Sequence, residues 1–247
     1  MKIEREDLIE VTNMSKDESM IALGHIQNRL LPGVEMLFAT LTGSRAFGWG
    51  GDVYDRDVKC VVAPVEEEFW DTFHIGINGY DLNGEELEHM FRRMRWRWTV
   101  FEDLSNPIWI HPKFDHDKFL SFASVDNVVA HRYTIQLEKI RAETKPAVRA
   151  ALHCYRQHME PIHFLTKGEI EINVMEINKW MKLEQLPILA DMYKTREFRE
   201  VDYKAVFEEM DFLVTQLDDL IEGRASTYDE DAHEAWKQEV RDIFNYN

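Results

Sequence analysis

Cysteine is nearly absent: only Cys60 and Cys154 occur in 247 residues. They fall in unrelated segments without C-x-x-C spacing, which excludes a disulfide framework and a cysteine-rich zinc site and leaves two small core residues. Apolar runs are short as well, and none approaches the roughly 18 residues that a bilayer-spanning helix needs. The first ten residues carry charge from the start, unlike a secretory leader, so a cytoplasmic location without a membrane partner is expected. Basic residues are scarce: 29 Lys and Arg stand against 46 Asp and Glu, for a net charge of -17. A surface of that sign repels long polyanions, so extended DNA binding is not expected. A pocket holding a divalent cation and a few basic groups can still accept a small anion such as a nucleotide. Repeats, low-complexity tracts and Pro/Gly-rich linkers are missing too, so a domain boundary has to be sought in a change of hydrophobic period.

That change falls near residue 100. Ser15 to Glu18 has the S-x-x-E form of a capping box, and Met20, Leu23, Ile26, Leu30 and Leu31 follow at helical spacing until Pro32-Gly33. Glu35 to Thr42 is short, apolar and closed by Gly43-Ser44, and Val58 to Ala63 is a β-branched run closed by Pro64. Both read as strands. His74 to Leu82 reads as a third strand ended by Asn83-Gly84, with an amphipathic helix over Glu85 to Trp98. Beyond Pro107 and Pro112 the period is helical over Phe119 to Thr144, Ala147 to Thr166, Glu169 to Leu183, Asp202 to Gly223 and Asp229 to Phe244. The expected fold is α/β of the α+β kind: a small mixed β-sheet core over residues 1–112 and a C-terminal helical bundle over 113–247.

The chemistry concentrates in GSRAFGWGGDVYDRDVKC, residues 43–60. Gly43 and Ser44 stand where a strand gives way to a turn, and small residues there let backbone N–H groups approach phosphate oxygens. Arg45 follows with a planar fork suited to phosphate. Asp55 and Asp57 are separated by one residue, so in an extended strand both carboxylates share a face, about 6.5 to 7 Å apart along the backbone. Such a pair repels unless a cation lies between, and hard oxygen ligands favour Mg2+, which takes the rest of its shell from water and substrate phosphates. Asp81, at the end of HIGINGYDL, is placed to supply a third carboxylate from a neighbouring strand.

This order of residues resembles the RNA-ligase-associated bacterial and phage nucleotidyltransferases of the polymerase-beta superfamily. Gly43, Ser44, Arg45, Ala46, Phe47, Gly48, Asp55, Asp57 and Val58 match the family's GSRA-aromatic-G and D-x-D pattern. Asp81, Asn83, Gly84 and Leu87 match its D-I-N-G-W-D-L segment, and Ser105, Asn106 and Pro107 its S-N-P tract. Tyr54, Arg56 and Lys59 differ from it. The resemblance implies a nucleotidyltransferase core that moves a nucleoside monophosphate from a nucleoside triphosphate to an acceptor hydroxyl on an RNA end, small molecule or protein, releasing pyrophosphate. It further implies Mg2+ or Mn2+ held by Asp55, Asp57 and Asp81, with Gly43, Ser44, Arg45 and Lys59 contacting the phosphates. A non-catalytic nucleotide-binding or protein-interaction module on the same fold is the alternative, and metal-dependent phosphohydrolysis a third reading.

Other features weigh toward packing. Arg92, Arg93, Arg95 and Arg97, interleaved with Met94, Trp96 and Trp98, could hold an RNA end, or form the basic face of a surface helix whose stems pack on neighbours. His153, His158 and His163 are five apart, off the i, i+4 spacing of helix-borne zinc ligands. Tyr155 and Arg156 could cap a nucleotide pocket, with core packing or an ion pair the stronger reading. Asp229 to Asp231 reads as a helix N-terminus.

Overall fold

Ser15 does open a helix. In the computed structural model its hydroxyl accepts from the Glu18 amide at 3.3 Å, while the Glu18 carboxylate accepts from the Ser15 amide at 2.8 Å. The structure describes residues 2–30, 32–51, 55–63, 72–132, 145–199 and 201–244. Helix α1 (Lys16–Gln27) buries Ala22, Leu23 and Ile26. It is followed by β1 (Glu35–Thr42), a single turn α2 (Gly43–Ala46), β2 (Arg56–Ala63), β3 (Thr72–Ile77), β4 (Tyr80–Glu86), α3 (Leu87–Met94), α4 (Trp98–Leu104) and β5 (Pro107–Ile110). The strands form a five-stranded mixed sheet in the order β3-β4-β2-β1-β5. β2 and β4 are parallel and the other pairs antiparallel.

Register decides what shares a face. Thr42 pairs with Asp57 and Asp57 with Asp81, so these three side chains form one row across β1, β2 and β4. Thr40, Lys59 and Asn83 form the next row by the same pairing. On the opposite face Leu41, Val58, Cys60 and Leu82 are fully buried in a cluster that also holds Leu152, Tyr155, Ile177 and Leu189. A second cluster packs Phe38 and Val61 against Phe91, Phe101, Phe119 and Trp236. Both clusters draw on residues from either side of position 112, so the change from strand to helix there does not interrupt the core.

The helical part comprises α5 (His116–Ser121), α6 (Val125–Arg132), α7 (Lys145–Lys167), α8 (Val174–Met181), α9 (Gln185–Thr195), α10 (Tyr203–Ile221) and α11 (Glu230–Ile243). Asp202 and Asp229 cap α10 and α11 by accepting from Ala205 and Ala232 amides. Among the described residues no helix is long and apolar enough to cross a membrane.

Four differences from the sequence expectation have physical causes. The single strand expected over His74 to Leu82 is a hairpin: Asn78 and Gly79 take φ of 50° and 78°, the paired left-handed conformation of a tight Asn-Gly turn. Asn83-Gly84 ends nothing, because a Cβ on Gly84 would lie 1.9 Å from the Phe73 ring. The glycine makes room for an aromatic side chain in mid-strand. Strand β5 was not expected between its two prolines, but Pro107 is the first residue of an edge strand, where a missing N–H costs no ladder bond. Helix α8 starts at Val174 and not Glu169, since Asn173 caps it by accepting from the Met175 and Glu176 amides. Helices α4 and α9 have no expected counterpart, although Leu186, Leu189 and Ala190 stand at helical spacing. Tyr54, Pro64 and residues 133–144 of the expected Phe119 to Thr144 helix lie outside the described residues.

Candidate active site

Because β2 and β4 run parallel with Asp57 opposite Asp81, two carboxylates stand side by side at one end of the sheet. Asp55 precedes β2 by one residue and lines the same cavity, about 420 Å³, together with Gly43, Ser44 and Asp81. The aspartates expected to act together are thus brought together, beside the expected turn. Gly43 touches Asp57 most closely: a Cβ there would fall 1.8 Å from Asp57 Oδ2, and its φ is +70°. Gly43→Ala therefore meets both a steric block and a strained backbone. The variant should lose about 1 to 3 kcal/mol of stability and most of any activity that depends on Asp57, read by thermal melting and by turnover.

Asp57 is half-buried, and that burial, together with the Asp81 and Asp55 charges, pushes its carboxyl up to about 6. Arg149 and Lys59 pull it the other way, the smaller effect. Asp81 is oriented by its own neighbours: His74 Nε2 pairs with its Oδ1, and Asn83 donates to the same oxygen at 3.3 Å. Among the described residues no group of three or more His, Cys, Asp or Glu side chains stands close enough to enclose a metal ion. The three aspartates line one cavity without forming a closed cage.

Arg45, expected at the phosphates, is turned away. Its guanidinium is buried, donates to the Asn13 carbonyl at 3.1 Å and lies 3.6 Å from Glu18. It lines a separate pocket of about 230 Å³ with Asn13, Glu18 and Lys194. The cause is local: α2 is a helical turn, which rotates successive side chains by about 100°, so Ser44 and Arg45 cannot both face the cavity. Arg56, between the two aspartates, points to the same Glu18, donating from Nε at 2.6 Å. Lys59 lies on the Asp57 face but one row back, where it pairs with Asp103 on α4. Asp103 also accepts from Thr42 Oγ1 at 3.3 Å and lies 3.8 Å from Arg93, so it ties the aspartate row to the helices beneath. No motif marked it.

The far wall of the cavity comes from the helical half: Arg149 and His153 on α7, Tyr193 on α9, and Arg196 just beyond it, with Trp49 from the loop after α2. A cavity of about 440 Å³ elsewhere is lined by Leu30, Val34, Trp109 and His111 and holds one carboxylate, Glu35, so size alone does not single out the site. The basic cluster around α3 is mostly spent internally. Arg93 pairs with Glu85, Arg95 donates to Glu230 at 2.6 Å, and Met94 and Trp98 are buried, whereas Arg92, Trp96 and Arg97 are exposed. Tyr155 donates to Glu209 at 2.6 Å and Arg156 pairs with the fully buried Glu102, so both serve the core.

No family model matches the chain, and no curated protein does either. Among solved structures, a nucleotidyltransferase-like protein from Exiguobacterium sibiricum 255-15 is similar at 13% identity and a TM-score of 0.29, over 91% of this chain and 78% of that one. Overlap that loose leaves the chemistry to be read from the side chains themselves.

Proposed function

We propose that the chain is a metal-dependent nucleotidyltransferase, moving a nucleoside monophosphate from a nucleoside triphosphate to an acceptor hydroxyl with release of pyrophosphate. The observation that carries the reading is the aspartate row: Asp57 opposite Asp81, Asp55 in the same cavity, and the Asp57 carboxyl pushed to about 6 by burial and by the other two charges. Crowded carboxylates of this kind are compatible with folding when a cation offsets them in the working state. The donor set is hard oxygen throughout, which fits Mg2+ or Mn2+. An open arrangement fits an ion that completes its shell with substrate phosphates. Bound there, it would lower the pKa of the acceptor hydroxyl and neutralise charge on the departing pyrophosphate.

The chain's own residues have separable tasks. Asp55, Asp57 and Asp81 would hold the ion, with Asp81 kept in place by His74 and Asn83. Gly43 and Ser44 let the backbone approach the phosphates, and the cations across the cavity face their charge. Lys59 acts through Asp57 and Asp103 and not by direct phosphate contact. An acceptor of limited size, such as a small molecule, an RNA end or a protein side chain, suits a chain with a net charge of -17 better than a long polyanion does. The second reading, a non-catalytic nucleotide-binding module, needs only the cavity and the Gly43-Ser44 turn that would meet the phosphates.

Triphosphates labelled at the α-phosphate, incubated with magnesium and candidate acceptors, separate these readings. The proposal expects label on an acceptor and one pyrophosphate per transfer. Release of inorganic phosphate alone would instead indicate hydrolysis, and magnesium-dependent binding without turnover the non-catalytic module.

A further inference from the structure

Resting on the nucleotidyltransferase reading, we infer that Arg149, held in position by His153, is the side chain that grips the triphosphate tail. The two residues are one turn apart on α7, and Arg149 Nε donates to His153 Nε2 at 3.4 Å. An imidazole nitrogen that accepts has no proton, so His153 carries its proton on Nδ1 and is uncharged. Burial and the adjacent Arg149 charge push its ring down to about 4, consistent with that state. His153 in turn stands edge-on to Trp49, with ring centroids 5.6 Å apart at 86°. Trp49 is buried, and its amide donates to the Ser44 carbonyl at 3.2 Å. A continuous series of contacts, Ser44 to Trp49 to His153 to Arg149, therefore sets the guanidinium relative to the Gly43-Ser44 turn although about a hundred residues of chain separate them.

The chemistry of the fork supports the assignment. With Nε occupied by His153, the two terminal amino groups remain as the planar pair that meets two oxygens of a phosphate. Arg149 is exposed and lines the aspartate cavity together with Gly43, Ser44 and Asp57. A long exposed side chain normally loses rotamer entropy on binding. The His153 bond fixes much of that freedom beforehand. Arg45, which occupies the expected phosphate position in the motif, points elsewhere.

The test is calorimetric titration with inorganic tripolyphosphate in magnesium buffer, a probe that carries the phosphates without a base, coupled to nucleotide-transfer kinetics. Arg149→Gln should weaken tripolyphosphate binding by about 10- to 100-fold, the range expected for a charge-assisted pair. Arg149→Lys should not restore it. His153→Phe, which keeps a ring against Trp49 but cannot accept, should raise KM for the triphosphate and leave kcat close to wild type. Unchanged tripolyphosphate affinity in Arg149→Gln, with transfer intact and still lost in Asp57→Asn, overturns this inference and leaves the proposed activity standing. A wild-type chain that binds neither tripolyphosphate nor nucleotide overturns both.

Discussion

Asp57→Asn should lower nucleotide transfer by about a thousandfold or more, the scale on which a single charged group governs phosphoryl chemistry, while raising the melting temperature above pH 7. The two effects share one cause. Asp57 is held among Asp55 and Asp81 with its carboxyl at about 6, above the ordinary 3.8. A folded-state value above the unfolded one means that the folded chain binds the proton more tightly. Stability is therefore fullest below about pH 4 and is lost as pH rises through about 6. The displacement corresponds to about 2 kcal/mol after allowance for solvent screening, and asparagine removes it. The variant's melting temperature should exceed that of wild type by about 4 to 8 °C at pH 8 and by little at pH 4. Equal melting curves at pH 8 would show that the carboxylates are not crowded.

Arg156→Met should cost about 3 to 5 kcal/mol, since it leaves buried carboxylates without their cation. Arg156 pairs with Glu102, which is fully buried. Glu160, one turn along α7, is also buried, and that burial pushes its carboxyl well above the usual range while the Arg156 charge pulls it back. The guanidinium also lies 4.2 Å over the Phe47 ring, in the loop that follows Ser44. Its loss should lower the melting temperature by about 6 to 20 °C. The deficit should grow from pH 5.5 to pH 9, because the Glu160 carboxyl is raised and loses stability as it ionises. Arg156→Met combined with Glu102→Gln should recover part of it. A deficit independent of pH would mean that lost packing on Phe47, and not charge, sets the cost.

The sequence made the aspartate row legible because its signals are local. D-x-D fixes two side chains on one face by strand periodicity, and the β-branched run after it marks a central strand. The pairing of Asp57 with Asp81 needed only the right neighbouring strand, and survived the misreading of β3 and β4 as one, since either description puts Asp81 in a strand. The hairpin itself was hidden because two Asn-Gly pairs, 78–79 and 83–84, carry the same local signal; only the Phe73 ring over Gly84 separates them. Arg45 was placed at the phosphates because it follows the Gly43-Ser44 turn at once, but that turn is helical and rotates the guanidinium away from the cavity. Arg149, His153, Tyr193 and Arg196 were not legible at all as cavity residues. They reach it through helix packing, and the only sequence trace was the i, i+4 spacing of Arg149 and His153, which is common on any helix.

Electron paramagnetic resonance of Mn2+ tests the central claim most directly, by measuring bound against free ion with and without a non-hydrolysable triphosphate. Wild-type chain should bind Mn2+ weakly alone and at least about tenfold more tightly with the triphosphate, as an open site completed by phosphates requires, and Asp57→Asn should lose that gain. Mn2+ binding in Asp57→Asn indistinguishable from wild type, with triphosphate present, would contradict it.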